Sequence, residues 1–343
     1  MKTSTLKAGA LRSGASALIV FAAAAAFNIV WAWTSPTVAA AASPAAAASE
    51  LTIGLLPIED ALPIHVAEAE GLFAKAGVKV NLVPFMSAVE RDTALRAGRL
   101  DGMVSDLLAA LLLEKGGARI AVTSVTLGAT PGEGRFAILA SPKAPNLRTV
   151  ADLKKVPIGI SHNSIIEFVT DQLLTLNGLK AADISKMEVP KIPIRLEMLL
   201  GGQLQAATLP DPLAAYAESR GARVILSDAS PSTSGKENLT QVVMIFRRDA
   251  VTQREDAITK FYDAYRQAVR LINADPEKYR PLLVQKAQVP ASIEKTYPIP
   301  RYPQPVLPEK EDFERVVNWA LGENLVEKAY SYQEIFDGRF VTK

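Results

Sequence analysis

The chain is predicted to be an α/β protein of two similar lobes, each a mostly parallel sheet flanked by helices, with a ligand cleft between them. Three observations lead there. First, Leu95–Val122 (LRAGRLDGMVSDLLAALLLEKGGARIAV) recurs without a gap as Leu199–Leu226 (LLGGQLQAATLPDPLAAYAESRGARVIL), at an offset of 104 residues. Gly98 falls on Gly202, Leu100 on Leu204, Ala110 on Ala214, and Gly117-Ala118-Arg119 on Gly221-Ala222-Arg223, with Arg91 upstream on Arg195. A period this long means two domain-sized halves of common topology rather than a solenoid. Second, strand-length apolar runs alternate with helically spaced ones through short loops, the pattern of parallel strands joined by right-handed crossovers. Third, the pattern restarts after Leu153, where Ile158-Gly159-Ile160 echoes Ile53-Gly54-Leu55.

The N-terminus reads as a secretory signal over residues 1–42. Lys2, Lys7 and Arg12 are followed by an apolar core from about Ala15 to Trp33 and small residues around Val38–Ala42. A linker rich in Ala, over 43–50, comes next. Cysteine is absent throughout the 343 residues, which excludes a lipid-modified N-terminal cysteine, disulfides and thiol chemistry. The expected location is therefore the periplasm, as a cleaved protein and not a lipoprotein. The formal charge of +2 includes three cations and no acid from the signal, so the remainder carries −1 and presents no basic face for nucleic acid. With 49% hydrophobic and 22% charged residues, the body can bury sizeable cores.

Lobe 1 is expected over 51–138 plus 242–343, and lobe 2 over 139–241. Leu51–Leu56 is a strand stopped by Pro57, and Leu62, Val66, Ala69 and Phe73 keep helical spacing until Gly77. Val78–Phe85 is the next strand; Ser87 and Glu90 form a capping box for a helix that ends at Gly98. Leu100–Ser105 is a third strand, Leu107–Leu113 a helix apolar on all sides and hence buried, and Arg119–Leu127 a fourth strand. After the polar stretch Gly128–Gly134, Arg135–Ala140 leaves the first unit as a strand.

The second unit runs strand Val156–Ile160, a helix with a Ser164/Glu167 capping box, strand Met187–Val189, helix Pro193–Leu200 and strand Gln205–Leu209. A further helix has Asp211 as N-cap and Pro212 at its first position. Leu239–Phe246 returns to the first lobe. Thr252 and Glu255 are expected to cap a long helix with Ile258, Phe261, Tyr265 and Ile272 inside, ended by Asp275-Pro276. The remainder is helical, with a proline-rich break at Tyr297–Pro308.

In such sheets ligands lie beyond the carboxyl ends of the strands, so the loops of the two lobes should face each other across the cleft. The candidate ligand contacts are Asp60, Met86, Ser87, Ser105, Asp106, Arg135, His162, Asn163, Ser164 and Asp211. Several sit at helix N-termini, which favour negative groups. Glu59, Asp60, Asp106, Glu133 and Asp211 stand there against Arg91, Arg135 and Arg195, which favours a ligand with an amine or other hydrogen-bond donors. Asp106 and Asp211 are displaced by one position in the repeat, which argues against equivalent capping roles and for ligand contact. His65 and His162 could join them at a divalent metal, but the spacing is no metal motif and neither metal nor cofactor is expected. A nucleophile elbow, a metalloprotease helix motif and a phosphate loop are all missing, so the chain is read as a non-enzyme.

Ile53-Gly54, Pro57, Pro63, Val66-Ala67, Glu70-Gly71-Leu72-Phe73 and Gly77-Val78 resemble the opening of solute-binding proteins of ABC importers in the nitrate, sulfonate, taurine and thiamine-pyrimidine-precursor group. Ala97-Gly98-Arg99-Leu100-Asp101, Ala151-Asp152-Leu153-Lys154 and Asn273-Ala274-Asp275-Pro276-Glu277 extend the resemblance to about Pro276. It implies a two-lobed type II periplasmic-binding fold that closes on a small organic molecule or anion and delivers it to an ABC permease with its ATPase, the binding protein acting as a monomer. Leu209-Pro210-Asp211-Pro212 lacks the aromatic that sulfonate and taurine relatives carry there, and the absence of cysteine excludes the pyrimidine-forming chemistry of fungal relatives. Stacking on a heterocycle would need Phe85, Phe136, Phe168 or Tyr216. The alternatives are an enzyme on the same scaffold, using Asp106, Asp211 and His162 for acid–base work, and a sensory binding module.

Overall fold

The computed structural model describes residues 49–129, 133–229, 239 and 242–341, all within the compact unit Ala42–Lys343. The signal, residues 43–48 of the linker and most of the loop after Ser227 lie outside the described residues. Among the described residues no helix is long and apolar enough to cross a membrane.

Strands β1 (Glu50–Leu55), β2 (Lys79–Pro84), β3 (Gly102–Asp106) and β4 (Ile120–Leu127) form the first sheet with the late strand β10 (Val242–Arg247), in the order β2-β1-β3-β10-β4. The second sheet contains β5 (Phe136–Ala140), β6 (Pro157–Ile160), β7 (Ser185–Glu188), β8 (Ala206–Pro210) and β9 (Arg223–Ser227), in the order β7-β6-β8-β5-β9. The two orders are the same. In each sheet four strands run in one direction, and the fifth, antiparallel to its neighbours, is inserted between the third and fourth. Strand β5 follows the first unit yet pairs in the second sheet, and β10 follows the second unit yet pairs in the first. Two connections therefore cross between the sheets.

Helices α1 (Leu62–Ala69), α2 (Leu72–Ala76), α3 (Ala88–Arg96) and α4 (Leu107–Lys115) belong to the first unit, and α5 (Ile165–Leu176), α6 (Ile192–Gly201) and α7 (Leu213–Ser219) to the second. The expected continuous helix to Gly77 is broken at Gly71, whose φ of +65° is a conformation that a side chain resists. The all-apolar run predicted to be buried is α4, and it packs against α5. Then come α8 (Arg248–Gln253), α9 (Glu255–Ala274), α10 (Arg280–Lys286), α11 (Lys310–Gly322) and α12 (Tyr332–Ile335). Ile258, Phe261, Tyr265 and Ile272 are all buried on α9, which covers α1 and α2. Helix α11 lays Phe313, Val316 and Ala320 on the apolar cluster that contains α4 and α5.

Four expected helix starts differ: at α3, Ser87 accepts from the Glu90 amide without the return bond that the expected capping box requires. Thr252 does not cap α9: its hydroxyl donates to the carbonyl of Arg248 in α8, and α9 opens after Arg254. Ser164 caps α5 through the Ile166 amide, but Glu167 accepts from the Asn163 amide and the His162 ring instead of closing the box. The Asp211–Pro212 peptide is cis, and α7 begins at Leu213 with Pro212, not Asp211, as N-cap.

Candidate functional site

The carboxyl ends of β3 and β8 open on one cleft of about 820 Å³, its mouth included. Its walls are Leu56, Ile58, Leu127, Phe136, Ile165, Ile166, Pro190, Ile192 and Val242; its polar lining is Glu59, Asp60, Arg91, Ser105, Asp106, Glu133, Arg135, Ser161, Ser164 and Asp211. Of the ten sequence-predicted contacts, Asp60, Ser105, Asp106, Arg135, Ser164 and Asp211 line it.

Met86, Ser87, His162 and Asn163 do not. Ser87 is buried and accepts from the Glu90 amide, so Ala88, the first residue of α3, faces the cleft in its place. Met86 is 41% exposed and lines a separate surface pocket together with His65. The Glu167 carboxylate holds both the His162 ring at 2.9 Å and the Asn163 amide at 2.7 Å, which leaves Ser161 and Ser164 as the cleft residues of that loop. Neither histidine lines the cleft, so the four-residue metal arrangement is not assembled. Of the four aromatics considered for stacking, only Phe136 is a wall residue; Phe168 meets Trp319 edge-on at 5.4 Å.

Asp106 and Asp211 both bond to the framework, but from different positions relative to the helix that follows. Asp106 is the N-cap of α4, accepting from the Ala109 amide at 2.8 Å. Asp211 accepts from the Ala215 amide at 3.1 Å and takes a two-pronged ion pair from Arg135, both bonds 3.0 Å. Both nonetheless line the cleft.

Burial dominates the electrostatics. It pushes the Asp60 carboxyl up to about 7, against the pull of Arg91 and reinforced by Asp106. Asp106 is pushed up to about 6, again by burial and again opposed by Arg91. Burial also raises Asp211, opposed by Arg135. Glu59 rises well above the ordinary carboxylate range through burial, with the neighbouring charges of Asp211 and Asp60 adding to it.

Glu59 was in a predicted cleft loop but was not among the predicted contacts. Its carboxylate accepts from the Tyr297 hydroxyl and its carbonyl from the Tyr302 hydroxyl at 2.7 Å. No periodicity or motif marks this pairing; the only available signal was two tyrosines in the proline-rich break. Of the two arginines expected at the cleft loops beside Arg135, Arg91 lines the cleft and Arg195 does not. Arg91 donates to the Val104 carbonyl, the Ser105 hydroxyl and Asp92, and Arg195 to Thr208, Val189 and Ser161. The cleft serines are thus bonded to the framework, Ser105 and Ser161 as acceptors from arginine and Ser164 as donor to the Ser161 carbonyl, and none is paired with a histidine. The geometry suits holding a molecule that presents hydrogen-bond donors.

The NMT1-like family model matches residues 44–285. The chain belongs to the NMT1-like family. Its fold is the two-lobed periplasmic-binding fold, and this NMT1-like protein is similar to solved structures across most of their length. One is the ligand-binding component of an ABC-type import system from Staphylococcus aureus with zinc bound, at TM-score 0.70 and 14% identity, covering 86% of this chain and 98% of that one. Another is the alkanesulfonate-binding protein of Xanthomonas axonopodis pv. citri bound to MOPS, at TM-score 0.70 and 19% identity, covering 84% and 98%. A third is the periplasmic nitrate-binding protein of Synechocystis PCC 6803, at TM-score 0.66 and 13% identity, covering 83% and 84%. At these identities the likeness is one of fold. No curated protein sequence matches the NMT1-like chain significantly.

Proposed function

We propose that this protein is the solute-binding component of an ABC import system: it is exported to the periplasm on a cleavable signal, binds one small molecule between its lobes, and hands it unchanged to a permease with its ATPase. The observation that carries the reading is a cleft lined from both sheets at their strand ends. The solute-binding proteins that share the fold support it. So does the chemistry of the cleft, where serines bonded to the framework offer no activated nucleophile.

The test is a thermal-shift screen of small molecules followed by mass spectrometry of the bound one and an ATPase assay with the permease from the same gene cluster. A binder should raise the melting temperature through linkage, leave the protein chemically unaltered, and stimulate ATP hydrolysis only with the binding protein present. Recovery of a converted molecule would establish an enzyme instead. Binding without ATPase stimulation would favour the sensory role.

A further inference from the structure

We propose that the cleft selects an organic cation, an apolar body carrying a protonated nitrogen, and that Asp60 with Asp106 seats its charged head. This rests on the solute-binding reading above and narrows it to a substrate class.

Asp60 carries the argument. It is 5% exposed and lines the cleft, and its Oδ1 is buried with no hydrogen-bond partner. A buried acceptor left without a donor costs free energy, so such an atom in the wall of a binding cleft is a place for a ligand's donor. Asp106 lines the same cleft and acts on Asp60 as a neighbouring like charge; one of its oxygens is used by the Ala109 amide.

The positive side of the cleft is already engaged. Arg91 donates to the Val104 carbonyl at 2.7 Å, to Ser105 at 2.6 Å and to Asp92 at 2.9 Å. Arg135 is held by both oxygens of Asp211 and by Glu218 at 2.6 Å. An anion entering here would meet carboxylates and would have to take a guanidinium from its present acceptors. A cation meets the Asp60 Oδ1, an acceptor without a partner. Beside it Ile58, Leu127, Phe136, Ile165 and Ile192 form an apolar wall that would take a hydrocarbon body, and the Phe136 ring can face a cation.

The experiment uses the mature chain and three probes of matched shape: phenethylammonium, phenylethanol and phenylethanesulfonate, within a wider panel of cationic, neutral and anionic metabolites. Calorimetry and thermal shift should show the ammonium and other cations binding in preference to their neutral and anionic counterparts. Asp60→Asn should weaken the cation about tenfold or more, as removal of a charged hydrogen-bond partner does. Asp106→Asn should also weaken it while keeping the fold, because asparagine caps a helix as well as aspartate. A panel in which only anions or neutral molecules bind, or an Asp60→Asn variant that retains full affinity for the cation, overturns the cation assignment and leaves the binding role intact. A panel in which nothing binds overturns both.

Discussion

Arg195 lies against the second sheet as Arg91 lies against the first. Each Nη1 donates to a carbonyl of the third strand of its unit, Thr208 at 2.9 Å and Val104 at 2.7 Å. Each side chain also crosses a glycine of the unit's first strand: a Cβ on Gly159 would stand 3.4 Å from Arg195 and 2.5 Å from Leu204, and one on Gly54 would stand 3.3 Å from Arg91 and 2.6 Å from Leu100. Glycine, leucine and arginine thus form the same three-residue joint in both lobes. The copies differ in exposure to the cleft, which Arg91 lines and Arg195 does not.

Arg195 is fully buried and serves Val189, Thr208 and Ser161. Arg195→Met would orphan these acceptors, at a cost of about 1–3 kcal/mol for each left unsatisfied, partly offset by the removal of a buried charge. We expect about 2–4 kcal/mol of lost stability, measured by urea unfolding. A loss below about 1 kcal/mol would mean that the joint is not a structural requirement.

The Asp60 carboxyl, at about 7 when folded and near 3.8 when unfolded, makes the folded chain take up a proton that the unfolded chain does not between those values. Stability contributed by this group therefore rises as pH falls from above 7 toward 4. Asp60→Asn lacks the penalty of the buried charge, so its melting temperature should exceed that of the wild type at pH 8, with the difference shrinking toward pH 5. Comparison with the wild type cancels His65, which burial lowers to about 4 and which acts in the opposite direction. A difference constant from pH 5 to 8 would rule out Asp60 as the titrating group.

Tyr297 and Glu59, 238 residues apart, fasten the proline-rich segment to the cleft loop. Tyr297→Phe removes the donor and leaves a buried carboxyl oxygen without it, so unfolding should become easier by about 1–3 kcal/mol. The double variant with Glu59→Gln should be nonadditive if the two act as a pair, and an additive result would show that they act independently.

Much of this architecture was legible in the chain itself. The 104-residue repeat placed Arg91 and Arg195 in register, and the structure brings both to the same joint. Strand and helix periodicity located nine of the ten described strands to within about three residues, β9 being the exception, because burial on a pleated or helical face imposes a period of two or 3.6 on the apolar side chains. The loops that form the cleft followed from strand ends, yet the choice among neighbours in those loops did not. Glu167 withdraws His162 and Asn163, and Ser87 is withdrawn by the Glu90 amide. These are competitions for hydrogen bonds between residues a few places apart, and residue type alone does not decide them.

Local pattern, then, determined the two lobes, their repeated topology and the acidic character of the loops between them, because each depends on side chains near one another in sequence. Only the tertiary structure decided which carboxylates are engaged and which is not. Arg135 reaches Asp211 across 76 residues, and the hydroxyls of Tyr297 and Tyr302 reach Glu59 across 238 and 243. Asp60 keeps an oxygen without a donor. That imbalance arises from chain closure over long separations, where burial removes the water that would otherwise have satisfied every group equally.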